Sequence, residues 1–496
     1  MAAGDQAYQQ GRYAEAERLF AAALEHAERI GPRDPRVALS LGQLAAAYQA
    51  HGQYAKAEPL LQRVLMIAEG ELGPDHPEVA AALTALGALG AAQGRYAGAE
   101  ARLKRALGID ERVLGPEHPE VAGVLVVLAS LERRQGRYGD AELRGRRALA
   151  IREKALGPEH PEVAASLTEL ALLYRGQSRY VEAEQLAQRG LVIREKTLGA
   201  EHPDVVTPLV TLGELNTEQA RFTPAETQAR RALAVAEKAL GPEHPEVGAA
   251  LDLLAAVGRA RGQYPEAETR GRRALAVREK ALGAEHPDVA LALVGLAELS
   301  LLRQGAAQAE PLAARALAIQ EKTLGPEHPE LARSLRALAD AQRMQNRFAE
   351  AEAGYQRALA IDEKRLGPES PRVALDLVGL ATVYRVQSRY PQAEPLYRRA
   401  QAIGEKALGP EHPQVAATIV DLASLYRAES RFAQAEPLYQ WALTLQRKAL
   451  GPEHPALAAS LEEYAALLKQ TNRDGEAADV EKQARAIRAK AAAPAR

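Results

Sequence analysis

The 496-residue chain contains no cysteine, which excludes disulfides, thiolate nucleophiles and thiolate zinc sites. Aromatic side chains are scarce, 4% of the total with one tryptophan and four phenylalanines, while alanine, leucine, glutamate and arginine dominate. Unbranched side chains lose little rotamer freedom in a helix, so an all-α chain is expected. Neither sign of charge is in excess. With 63 basic and 65 acidic residues the formal net charge is −2, so no overall field draws the chain to nucleic acid or to an anionic membrane. A run of about 18 apolar residues is missing, and the start MAAGDQAYQQ has no basic segment followed by an apolar core. A soluble, cytoplasmic protein with no membrane or nucleic-acid partner is the expectation. There is no Gly-x-x-x-x-Gly-Lys-Ser/Thr phosphate loop, and no cofactor or metal is expected.

What the chain does have is a ruler. The phrase LGPEHPEVA begins at Leu114, Leu156 and Leu240, and its glycine returns every 42 residues from Gly73 through Gly115, Gly157 and onward to Gly451. A second marker, an aromatic followed by Ala-Glu three residues on, keeps the same step from Tyr54 and Tyr96 to Tyr390 and Phe432. Strict self-similarity at this period means stacked repeats. Within one repeat, Val163, Leu167, Leu170, Ala171 and Tyr174 lie on one stripe of a first helix, A, and Phe348, Ala351, Tyr355, Ala358, Leu359 and Leu366 mark the stripe of a second, B. Each repeat is therefore a helical hairpin, and about a dozen stacked hairpins would bury a continuous core. The boundaries read as a truncated repeat at 1–33, ten repeats at 34–453 and a last repeat with polar capping helix and short tail at 454–496.

The recurring histidine beside a glutamate invites a metal or acid/base reading, but its position argues for a joint. Glycine suits the residue that closes helix B, and the proline after it stops the helix from resuming. In His-Pro-Glu the proline suits the first helical turn, which makes the histidine the N-cap. The same place holds Asp34 in the first copy and Ser370 in a late one. Both are strong capping residues, as a cap position allows and a ligand position does not.

Leu167, Ala171, Tyr174, Tyr180, Ala183 and Leu191 resemble the small-and-large pattern of tetratricopeptide repeats. The 42-residue period and the LGPEHPEVA phrase are similar to the long-repeat variety found in kinesin-light-chain-like and nephrocystin-like proteins. That resemblance covers nearly the whole chain. It implies a right-handed superhelical solenoid whose helices A line a concave groove that binds segments of partner proteins. Two departures limit what carries over. No heptad segment precedes GRYAEAE, and the asparagines of helix A in kinesin light chains are replaced here by pairs such as Thr168 and Glu169, Val378 and Gly379, or Val420 and Asp421.

A non-catalytic protein-binding scaffold or adaptor is the functional expectation, and the alternative is a regulatory array controlling a separately encoded enzyme. Candidate groove residues are a basic column at the end of helix A, Arg133, Arg175, Arg259, Arg343, Arg385 and Arg427, with the apolar places Val126, Leu172, Val294, Val378 and Val420. Such a groove would take an acidic segment with spaced apolar anchors. The competing reading pairs each arginine with a nearby acid such as Glu169, Asp340 or Asp421. A second column, from Arg63 to Arg399 on helix B, looks like a solvated charge lattice on the convex side, and Trp441 stands in its place in the last copies as a convex contact candidate. The short stretch before Tyr13 suggests that the first helix B, with Leu19 and Phe20, lacks cover and supports weak self-association. Replacement of the recurrent aromatic by Ala306, after Gly305, marks a soft spot.

Overall fold

The structure, a computed structural model, describes residues 2–31 and 35–492, so the capping expectation at Asp34 lies outside the described residues. Among the described residues there are twenty-four α-helices, a 3-10 turn at Pro203–Val205 and no strand. They pair as twelve hairpins in which the odd-numbered helix is A and the even-numbered helix is B.

The hairpin of α9 (Pro161–Gly176) and α10 (Tyr180–Leu198) shows how the sequence builds each repeat. The His160 Nδ1 accepts the Glu162 backbone N–H at 3.3 Å, with Pro161 at the first helical position. The stripe Val163, Leu167, Leu170, Ala171 and Tyr174 is buried throughout. Ser178 then takes a left-handed turn at φ 62, and Arg179 N–H closes on the Tyr174 carbonyl at 2.8 Å. On α10 the small Ala183 and Ala187 are fully enclosed, which lets the two helices approach. Gly199 ends α10 with φ 96 and ψ 156, donating its N–H to the Glu195 carbonyl. A side chain at such a positive φ with an extended ψ meets the backbone, so glycine is required there. Ser370 caps α19 (Pro371–Val386) as the histidines do elsewhere, accepting from the Arg372 N–H at 3.3 Å.

The chain forms two compact units, one of Met1–Leu215, Glu226–Leu253 and Arg273–Val289, the other of Asn216–Ala225, Leu254–Arg272 and Ala290–Arg496. In the first unit the expectation of an uncovered N-terminal edge is corrected. The short α1 (Ala2–Gln9) lies on α2 (Tyr13–Ile30), and Phe20 is only 2% exposed. Gly4 makes this possible, since a Cβ there would fall 2.5 Å from the Phe20 ring. Eight helical residues suffice as cover, and self-association through Phe20 has no exposed side chain to act through. In the second unit, α23 (Pro455–Gln470) and α24 (Asp474–Ala492) bury Ala477, Ala484 and Ile487 between them and leave the charged side of α24 in solvent.

Candidate partner-binding face

Helices A of successive hairpins touch one another. In the first unit α5 (Pro77–Ala92) meets α7 (Pro119–Arg134), which meets α9; in the second, α17 (Glu330–Met344), α19, α21 (Pro413–Ala428) and α23 do the same. The closely packed face of each unit is thus made of helices A, and the basic column stands at their C-terminal ends.

Nearly every arginine of that column meets a carboxylate. Arg133 bonds Glu169 on the next helix A at 2.6 Å, Arg259 bonds Glu298 at 2.5 Å, and Arg427 bonds Glu463 at 2.7 Å. Arg175 pairs with Glu214, and Arg343 with Asp340 on its own helix at 2.9 Å. Arg385 differs. Its Nε donates to the Tyr397 hydroxyl at 3.4 Å, and among the described residues no carboxylate contacts it. Asp421 stands nearby, pushed up to about 6 by burial, which Arg385 and Arg343 only partly offset. Burial would likewise raise the Glu298 carboxyl, but Arg259 and Arg333 outweigh it and hold the group at about 2.

The apolar places divide. Val294 is 1% exposed and Val420 8%, so both are enclosed in the core, whereas Val126, Leu172 and Val378 are half-buried at the face. A feature the sequence reading missed lies beneath the second unit's arginines. The helix-B tyrosines Tyr355, Tyr397 and Tyr439 are fully buried and send their hydroxyls to Asp340 at 2.7 Å, Thr382 at 2.9 Å and Ser424 at 2.8 Å on helix A. Tyr397 and Tyr439 also receive Arg385 and Arg427. The signal was available in GYQRA, LYRRA and LYQWA, where a tyrosine replaces the Gly145, Ala187 or Ala313 of earlier copies. A second missed group is the buried pair Asp362 and Asp376, both bonded to Arg336, at 3.2 and 2.8 Å.

The helix-B arginine column braces neighbouring repeats. Arg147 bonds Glu111 at 2.7 Å and donates to the Pro116 carbonyl at 2.8 Å; Arg357 does the same to Glu321 and Pro326, and Arg399 to Glu363 and Pro368. Trp441, 40% exposed, takes the place of such a brace, and Glu405 there accepts from Gln401 instead. The i,i+4 pairs Glu142–Arg146, Glu226–Arg230 and Glu394–Arg398 are formed. Among the described residues no group of three or more histidine and carboxylate side chains could hold a metal ion, and no helix is long and apolar enough to cross a membrane.

A family model described as tetratricopeptide repeat matches in ten segments from residues 2–70 to residues 419–490. The chain belongs to the tetratricopeptide repeat family. In general terms its architecture is that of a protein-interaction scaffold, and tetratricopeptide proteins bind protein or peptide partners. Among solved structures, a Rap protein complexed with competence and sporulation factor is similar in fold, at 14% identity over 76% of this chain and 99% of that one, with a TM-score of 0.58. Nearly identical tetratricopeptide-like repeats assigned to a Podosopora anserina kinesin light chain match at 31% identity, over 42% of this chain and all of that one, with a TM-score of 0.33. BtubC from P. vanneervenii matches at 21% identity over 48% and 94%, with a TM-score of 0.35. No curated protein matches the tetratricopeptide chain significantly.

Proposed function

We propose that the chain is a non-catalytic, cytoplasmic adaptor whose helix-A face takes up an acidic segment with spaced apolar anchors. One observation carries this reading: Arg385, held by a buried tyrosine and without a carboxylate in contact, borders the half-buried Val378 on the same helix. A guanidinium that is oriented, with Asp421 and Glu463 acting on it but no carboxylate in contact, can donate to an incoming carboxylate in bidentate geometry. Arg343 and Arg427 flank it in the same column, where an incoming acid competes with Asp340 and Glu463.

Exposed pairs contribute roughly 0 to 1 kcal/mol each, so affinity accumulates over several hairpins and weakens as salt screens it. The test uses a fluorescent synthetic peptide of glutamates with leucine at every fourth position, and its lysine counterpart. The acidic peptide should bind, more weakly at high salt, and R343Q/R385Q/R427Q should abolish binding while far-UV circular dichroism is unchanged. The outer-face variant R315Q/R357Q/R399Q should bind normally. Equal binding of both peptides, or loss in the outer-face variant alone, sinks the proposal.

A further inference from the structure

The histidines of the joint do more than cap. In five of them the second ring nitrogen reaches a backbone carbonyl far back in the chain. His202 Nε2 meets the Gln9 carbonyl at 3.1 Å, His244 that of Ala50 at 3.0 Å and His286 that of Ala92 at 2.8 Å, all within the first unit. Within the second unit His412 meets the Glu218 carbonyl at 3.1 Å and His454 that of Ala260 at 2.8 Å. Every one of these contacts spans 193 or 194 residues and joins the start of one helix A to the end of another. The proline after the histidine packs on the turn that follows. A Cβ at Gly11, Gly52, Gly94 or Gly262 would fall 2.4, 3.0, 3.0 or 2.3 Å from the Cδ of Pro203, Pro245, Pro287 or Pro455.

This geometry fixes the protonation state of each ring. The Nδ1 accepts a backbone N–H, from Asp204, Glu246, Asp288, Gln414 or Ala456, at 3.1 to 3.2 Å. An amide can only donate and a carbonyl can only accept, so Nδ1 must be bare and Nε2 must carry the proton. A second proton would land on Nδ1, break the cap and face an N–H.

We propose that His202, His244, His286, His412 and His454 are acid-sensitive clasps, which hold hairpins nearly 200 residues apart together when neutral and release them when protonated. Burial opposes the charged ring in the same sense. It pushes His244 down to about 4, against a weaker opposite pull from the Ala50 carbonyl, and lowers His286, His412 and His454. Charged neighbours differ among the five. Asp204 lies 3.7 Å from His202, with Tyr13 opposite, and His51 and Glu246 adjoin His244. Asp288 favours the charged form of His286 while Arg134 and Arg278 oppose it; on His412 and His454 burial and the carbonyl that accepts from Nε2 act.

For His244, His286, His412 and His454 a released ring titrates near 6.5, above the clasped value, so protons favour release. The clasp is at full strength above about pH 6.5 and weakens as pH falls, for His244 down to about 4. The population of the released state can rise by up to about tenfold per histidine for each pH unit in that window.

The full chain is compared at pH 7.5 and pH 5 by hydrogen exchange, corrected for the intrinsic pH dependence, and by small-angle scattering. Peptides covering residues 8–12, 50–54, 92–96, 218–222 and 260–264 should lose at least tenfold protection at pH 5. The radius of gyration should rise and helicity should remain. Asparagine caps a helix well but is too short for the second bond, so H202N/H244N/H286N/H412N/H454N should be released already at pH 7.5 and no longer respond to pH. If that variant does not fold, H412N/H454N confines the change to the second unit and keeps the first as reference. Equal corrected protection of the wild-type chain at both pH values overturns the proposal. So does loss of the response in H76N/H118N/H160N, whose histidines make the capping bond and, among the described residues, no long-range one.

Discussion

Two sets of turns between helix A and helix B have almost the same backbone. Gly11, Gly52, Gly94 and Gly262 have φ between 70 and 75, and each is covered by a histidine-proline joint from a later hairpin. Asn346, Ser388, Ser430 and Asn472 have φ of 60 or 61 at the equivalent place, and all are exposed. A left-handed turn alone tolerates asparagine or serine; at these four glycines the proline ring crowds any Cβ, whereas the equivalent turn beside the His412 contact carries Ala220 at φ 57. Variation inside a repeat column therefore reports what lies against that column.

The comparison is broken most forcefully at a covered turn. Gly262→Ala places a Cβ against Pro455 and in a conformation that L-residues resist, and should destabilise the second unit by about 1–3 kcal/mol. Ser430→Ala, at an open turn, should change stability by less than about 0.5 kcal/mol. Paired denaturant titrations check both, and equal effects would mean that the cover contributes nothing.

The first aromatic of helix B sharpens the same contrast. Tyr13 and Tyr96 are buried, with Asp204 and Asp288 near them, whereas Tyr54, Phe348, Tyr390 and Phe432 are half-buried, Tyr54 being pushed up to about 12 by desolvation with Glu246 and Asp288 beside it. Ala306 belongs with the second group, so Ala306→Tyr should stabilise by only about 1 kcal/mol, the value for half-burying such a ring. The repeat has already compensated in part. Gly305 stands where other copies carry an arginine bound to an upstream glutamate, and Arg303 takes that glutamate, Glu268, instead. A gain well above that figure in thermal melts would show a larger void than the open turns present.

Smallest is the effect on the outer face. Trp441→Arg should restore the brace to Glu405 and the Pro410 carbonyl that its neighbours make, a gain of at most about 1 kcal/mol, removed by high salt. A loss of stability in calorimetry would show that the indole packs better than its exposure suggests.

Period, hairpin and joint were legible because they depend on neighbours within one repeat: the stripe of α9, the histidine cap and the closing glycine all came from local spacing. What crosses several repeats was not. The second bond of His202 ends at Gln9, and a 42-residue period does not say which later hairpin returns to which earlier one. In the candidate face the arginine column was visible, yet its partners fall at three registers, 36 residues on for Arg133, 39 on for Arg175 and three back for Arg343. Side-chain reach across a helix pair decides between them. Val294 and Val420 stand at the same repeat position as the half-buried Val126 and Val378, so their enclosure depends on neighbours that differ from copy to copy and not on the register.

The braces between consecutive hairpins imply a mechanical response. Arg147, Arg357 and Arg399 each tie a hairpin only to the one before it, so tension applied at an end would peel hairpins singly, each paying out roughly 150 Å of extended chain. The long-range histidine contacts cut across that order. A hairpin whose joint grips a turn five repeats upstream would not come away until that grip failed, and the force trace would begin with one high rupture ahead of a regular sawtooth.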